Sequence, residues 1–236
     1  MPVQVKSKQR VTDHGEVFTA EREVNAMLDL VKQETERVDS RFLEPACGDG
    51  NFLSAILKRK LVAAQKRSIP PRKKYPIPSE YEKQSLIALS SIYGIDLLED
   101  NVIRCRDRLL DIWSSEYNSI CKPKGDDLLV KNVAKFILSK NIVCGNALSL
   151  MTVDNNQQDT EVPIIFSEWT LPFNDSRIQR KEYIFAELVD TRVQNVIEKD
   201  NHKQMELFDH VCSEGHKPIL MKQYIFDYRR VKDYDR

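Results

Sequence analysis

Phe42-Leu43-Glu44-Pro45-Ala46-Cys47-Gly48-Asp49-Gly50-Asn51-Phe52-Leu53 is the stretch on which the fold turns. It reads as a short strand, a tight glycine turn and the start of a helix. Glu44 stands where the strand ends. Gly48 and Gly50, one residue apart, let a ligand approach the backbone where a Cβ would block it. The helix that follows offers free N–H groups, which favour negative charge. A carboxylate beside bare backbone suits a ligand with an amino-acid group and a ribose, that is, a nucleoside cofactor carrying an ammonium. A pyrophosphate fits less well. A dinucleotide turn wants Gly-x-Gly-x-x-Gly, and Leu53 stands where the third glycine belongs. A phosphate loop wants Gly-Lys-Ser/Thr, which is absent. An ordinary strand-to-helix turn uses the same two glycines, so the neighbouring residues must decide.

Two later segments extend the pattern. Ser91-Ile92-Tyr93-Gly94-Ile95-Asp96-Leu97 reads as a second strand ending in a carboxylate. An acid in that place accepts hydrogen bonds from ribose hydroxyls. Asn141-Ile142-Val143-Cys144-Gly145-Asn146-Ala147-Leu148 reads as a third strand and turn. Upstream stands His14-Gly15-Glu16-Val17-Phe18-Thr19, followed by Ala20-Glu21-Arg22-Glu23-Val24.

Together these segments resemble the S-adenosylmethionine-dependent DNA methyltransferases that modify the N6 of adenine, the restriction-modification type. FLEPACGDGNFL is similar to their cofactor motif. The block around Phe18 and Thr19 is similar to their Gly-x-Phe/Tyr-Thr-Pro motif, with Ala20 in place of the proline. The two lie about 25 residues apart, in the family's order. The resemblance covers about residues 10–175. It implies an α/β chain of the Rossmann-like methyltransferase fold, a central, largely parallel sheet flanked by helices. It also implies S-adenosylmethionine as cofactor, contacted by Phe18, Thr19, Glu44, Pro45, Ala46, Gly48, Gly50, Asn51, Phe52, Asp96, Leu97, Asn146 and Ala147. Asn146 takes the place of the family's usual Asp and keeps an acceptor oxygen for the adenine amino group.

The family's catalytic motif, Asn/Asp-Pro-Pro-Tyr/Phe, follows a fourth strand, read here at Ile164-Ile165-Phe166. The adenine amino group is a poor nucleophile, so the motif must accept its hydrogens and stack on a flipped base. This chain has Ser167-Glu168-Trp169-Thr170-Leu171-Pro172-Phe173. Thr170, Pro172 and Phe173 are the nearest match. Glu168 as acceptor with Trp169 as stacking ring is an alternative register. Losing one oriented acceptor costs about a hundred- to a thousandfold in rate. The cofactor site is therefore the fuller of the two. A DNA adenine-N6 methyltransferase, or a subunit of a restriction-modification or defence system, is the leading reading. A catalytically inactive cofactor-binding or structural subunit that acts through a partner chain is the alternative. A methyltransferase with another acceptor, RNA or protein, is a third.

Lys+Arg and Asp+Glu number 36 each among 236 residues, so the net charge is zero. A dedicated nucleic-acid binder shows a basic excess; DNA is thus expected to bind weakly to this chain on its own, with a partner protein supplying target recognition. The chain is long enough for one domain, 1–236. A basic, proline-rich insertion is expected at about 64–80, where Lys66, Arg67, Arg72, Lys73 and Lys74 stand among four prolines with Tyr75. It is the best DNA contact by charge, and an exposed solvated loop carries the same charges. Five cysteines without a Cys-x-x-Cys pair, no leader-like run and no membrane-length stretch point to a reduced, cytoplasmic compartment. Cys47 reads as a small buried residue rather than a nucleophile. His210, Cys212 and His216 fit no zinc spacing, so no metal is expected.

Helices are expected from Thr19, as N-cap, through Val31, from the glycine turn to about 62, at 98–117, at 127–139 and at 176–200. His216 to Ile225 is the one good strand candidate in the C-terminal segment, about 176–236. The sheet is therefore expected to be truncated at that end, and the tail from Tyr228 exposed.

Overall fold

The alternation Ile92-Tyr93-Gly94-Ile95 sets the layers of the molecule. These residues form β2 (Ile92–Asp96), which lies between β1 (Phe42–Glu44) and β3 (Ile142–Asn146) and runs parallel to both. Ile92 joins a core of helix side chains on one face. Tyr93 and Ile95 join Ile164, Phe166, Phe185 and Leu188 on the other. A strand buried on both faces reads as an unbroken apolar run. The computed structural model describes residues 10, 12, 19–122, 128–173, 175–189 and 220–230.

Six helices have both ends among the described residues: α1 (Glu21–Asp29), α2 (Lys32–Thr35), α3 (Asn51–Arg67), α4 (Pro78–Ser90), α5 (Glu99–Cys121) and α6 (Leu128–Asn141). Leu53, Leu57, Leu61 and Ala64 recur along α3 at helical spacing and are all buried. Leu53 packs directly onto the backbone of β2. A Cβ on Gly94 would stand 2.9 Å from Leu53 Cδ1 and 3.0 Å from Cys47 Sγ. The N-cap of α1 is Ala20 and no side chain caps it, so the capping role expected of Thr19 is not realised. α3 runs five residues past the expected end, to Arg67. The irregular basic segment shrinks to 68–77, and α4 follows it, begun by a proline in its first turn.

The five-stranded sheet has the order β1-β2-β3-β4-β5. It is mixed. β4 (Met151–Val153) and β5 (Asp159–Pro163) add to β3 as an antiparallel meander. The expected fourth parallel strand does not join this sheet. β6 (Ile165–Thr170) pairs with β7 (Arg177–Ile184), and β7 with β8 (Leu220–Asp227), in a separate antiparallel sheet.

The reason lies in the connection. A parallel neighbour needs a crossover of a dozen or more residues, usually helical. Here the residues after β3 form a hairpin, and the chain returns to the edge it left. Ile164 N donates to Leu150 O at 2.9 Å, and a Cβ on Gly145 would meet Ile164 Cδ1 at 2.7 Å. β6 then runs back across the β2 face. The Tyr93 hydroxyl donates to Ser167 O at 3.0 Å, and Glu168 pairs with Arg41, just before β1.

The helix expected at 176–200 is corrected likewise. Residues 177–184 form a strand paired on both sides, with Ile178 and Arg180 turned inward; 185–189 are helical, and 190–200 lie outside the described residues. β8 overlaps the expected strand at 216–225, of which 216–219 lie outside the described residues. The tail is not wholly exposed. Tyr228 is buried, and the Glu82 carboxylate accepts from its hydroxyl, from Tyr117 at 2.8 Å and from Arg229 at 2.9 Å.

Candidate functional site

The carboxyl ends of β1, β2 and β3 open into one cavity of about 530 Å³. That volume lies within the range of small-molecule sites, roughly 300–1,000 Å³. Glu44 ends β1 and Asp96 ends β2, so parallel pairing in register brings the two acids to the same rim. The glycine turn stands between them. Gly48 adopts φ +53°, a left-handed conformation that favours glycine. Its N–H is not free for a ligand, because it donates to Asp96 Oδ2 at 2.9 Å. Asp96 Oδ1 accepts from Leu98 N at 2.9 Å and from Asn101 Nδ2 at 3.1 Å. A carboxylate offers about four acceptor positions. Asp96 therefore clamps the glycine turn to the start of α5 and keeps one position open to the cavity.

Glu44 is half-buried, and desolvation pushes its carboxyl above the ordinary glutamate value, opposed by the Ala46 N–H. A cation beside it would favour the charged form. Cys47 is buried under the turn, and the neighbouring Cys105 thiol and desolvation together push its thiol far up, which leaves no nucleophile at neutral pH. Phe52, Leu97, Ala147 and Leu148 supply apolar wall; Leu148 is 96% exposed at the mouth.

Of the expected cofactor residues, Thr19, Glu44, Pro45, Ala46, Gly48, Asn51, Phe52, Asp96, Leu97, Asn146 and Ala147 all line this cavity. Phe18 lies outside the described residues. Gly50 does not line it. At φ +86° it sits under α5, and a Cβ there would stand 2.8 Å from Cys105 Sγ, so its glycine serves packing rather than ligand approach. Asn51 Oδ1 accepts from Arg108 at 2.7 Å, which ties the turn to α5. Asn146 is engaged in its own turn: its Oδ1 accepts from Leu148 N at 3.0 Å, and its Nδ2 donates to Asp159 at 3.0 Å. Asn101 was not foreseen. Its place in the first turn of α5, five residues after Asp96, is the signal that could have found it. Beside it, Arg10 grips Asp100 with both terminal guanidinium nitrogens, at 2.8 and 3.1 Å.

The expected catalytic residues are elsewhere. Trp169, Thr170 and Leu171 line a cleft of about 300 Å³ with Arg41, Ser90 and Ser91, which precede β1 and β2. That is the amino end of the parallel strands. At about 3.3 Å per residue, the five residues of β2 separate the two ends by roughly 15 Å. The polar and aromatic side chains of the motif are also engaged. Glu168 pairs with Arg41 and accepts from Tyr183 at 3.3 Å. Trp169 is 5% exposed, donates to Asn141 at 3.2 Å and packs edge-on against Phe136. Thr170 bonds to Gln179 at 3.3 Å, Pro172 is exposed, and the Phe173 ring lies under Arg177. Because β6 runs antiparallel to β2, it delivers this segment to the wrong edge for the cavity.

The basic loop is also at the amino end, since α3 starts at the glycine turn and runs away from it. It does not cover the cavity. An open groove of about 760 Å³ between α1, α2 and α3 is larger, yet no strand end or glycine turn reaches it. Several of its charges pair with one another, as Arg59 does with Asp29 at 2.8 Å.

Among the described residues no cluster of His, Cys, Asp or Glu could hold a metal ion, and no helix is long and apolar enough to cross a membrane. His210, Cys212 and His216 lie outside them. No family model, curated protein or solved structure matches the chain.

Proposed function

We propose that this chain binds S-adenosylmethionine in the carboxyl-end cavity, on the first half of a Rossmann-like methyltransferase fold, and acts as a cofactor-binding or structural subunit together with a partner chain. One observation carries the reading. Two acids from adjacent parallel strands, Glu44 and Asp96, meet a left-handed glycine turn in one cavity of about 530 Å³. Glu44 suits the ammonium of the cofactor's amino-acid group. The open acceptor position of Asp96 suits a ribose hydroxyl. Leu97, Ala147 and Leu148 suit an adenine ring. When bound, the cofactor supplies an electrophilic methyl group on sulfur.

Adenine-N6 methyl transfer by the chain on its own is disfavoured, because Thr170, Pro172 and Phe173 are at the other end of the strands. The motif of an active enzyme, and its target recognition, then belong to the partner. A place in a restriction-modification or defence system follows from the family resemblance.

Titration calorimetry with S-adenosylmethionine tests this reading. The wild-type chain should bind in the micromolar range. Gly48→Arg, which fills the cavity, should abolish binding while the circular dichroism spectrum is kept. Asp96 is a poor control, since its removal strands three donors of the turn. No binding by the wild-type chain, or binding that survives Gly48→Arg, refutes the assignment.

A further inference from the structure

The neutral net charge hides a strong segregation. Between Asp49 and Glu80 the chain carries eight Lys and Arg residues and no Asp or Glu. Five of them, Lys66, Arg67, Arg72, Lys73 and Lys74, cluster at the C-terminal end of α3 and in the loop after it, and all five are exposed. Nearby charges are paired, Arg59 of α3 with Asp29 at 2.8 Å and Arg37 with Glu34 at 3.4 Å. No ion pair engages the five among the described residues.

The loop is built rather than slack. Ile77 N donates to Ser68 O at 2.9 Å and closes its base. Lys73 N donates to Pro70 O at 3.0 Å, making a turn with Pro71 and Arg72 at its centre. Proline presets one central position, and Arg72 takes the other at φ +64°, where glycine or asparagine is usual. A non-glycine residue held there carries backbone strain, and such strain gathers at functional sites. The turn projects Arg72, Lys73 and Lys74 together, and Tyr75 beside them is 80% exposed. Arg67 continues the strip into the amino-end cleft, whose one lining carboxylate is Asp39.

We propose that this loop and the end of α3 form a nucleic-acid-binding surface, in which Arg72, Lys73, Lys74 and Arg67 contact phosphates and Tyr75 stacks on an unpaired base. Repeated phosphates match a strip of unpaired cations, and release of their counterions drives binding. An exposed ring among cations suits single strands. The surface is at the opposite end of the strands from the cavity, so it tethers nucleic acid without presenting a base there. It does not rest on the cofactor reading.

Fluorescence anisotropy of a labelled 20-nucleotide single strand and a duplex of the same length, across a salt series, tests it. The triple variant Arg72→Ala/Lys73→Ala/Lys74→Ala should weaken duplex binding about ten- to a hundredfold and reduce the log–log salt slope by about 2.7. Tyr75→Ala should weaken the single strand about fivefold or more and leave the duplex unchanged. The substituted residues are exposed, so the melting temperature should hold. Wild-type binding that the triple variant leaves intact overturns the proposal. So does an absence of nucleic-acid binding, with or without capture by anionic vesicles.

Discussion

Glu44 is the residue whose environment most directly reports on a ligand. Its half-burial raises its carboxyl above the ordinary value near 4.5. The folded chain therefore holds that proton at a higher pH than the unfolded chain does. As pH rises from 4.5 through the folded value, the unfolded state loses its proton first, and stability falls. Glu44→Gln removes this effect. Its melting temperature should exceed that of the wild type at pH 7, with the difference vanishing below about pH 4.5. The same change should weaken S-adenosylmethionine about tenfold by removing the partner of its ammonium. Thermal melts over pH and calorimetry at pH 7 check the two halves. A melting temperature lowered at pH 7 would mean that Glu44 is held by contacts that favour its charge. Asp96 differs: three donors already satisfy it, so its first duty is to hold the turn.

At the scale of elements, the close approach of α3 to β2 decides how the cavity is made. Gly94 has no side chain, so Leu53 and Cys47 rest on its backbone and the glycine turn meets the end of β2. Gly94→Ala should destabilise the fold by about 1–3 kcal/mol, because neither neighbour can withdraw from a packed core. Urea unfolding would show the loss as a lower midpoint at unchanged slope. An unchanged midpoint would mean that the helix can lift from the sheet. The elements legible in the sequence are those with a clean period or a marked turn: β1 to β3, α1, α3, α5 and α6. α4 escaped notice because its buried face carries Tyr81, Glu82, Ser85 and Ser90 among the apolar residues, blurring the period. Ser85 and Glu82 are there to accept from Trp113 and Tyr117. β7 escaped because charged residues fill half of its positions, and Arg180 is buried with its guanidinium close to the rings of Phe136, Trp169 and Tyr224. Local pattern cannot foresee such burial, which needs partners from three distant elements.

Across the whole molecule, the cavity and the basic strip occupy opposite ends of the parallel strands, and β6 ties one end to the other. The residues of the cavity were legible because they cluster at strand ends in the sequence. The position of Trp169 to Phe173 was not, because it depends on the direction of β6, which the β4–β5 hairpin sets. Hydrogen–deuterium exchange with and without S-adenosylmethionine separates the two possible directions. With β6 running from Gly145 toward Arg41, cofactor should protect residues 44–53, 96–101 and 145–148 and leave 168–173 unchanged. A parallel β6 would carry 168–173 to the cavity mouth, and those amides would be protected with the rest. Trp169 offers a second reading of the same question. Buried against Phe136 at the far end, its fluorescence should not respond to cofactor, whereas a Trp169 at the mouth would be quenched or shifted as the adenine ring arrives. Trp113, the other tryptophan, stacks on Tyr117 between α4 and α5, so Trp169→Phe isolates the signal.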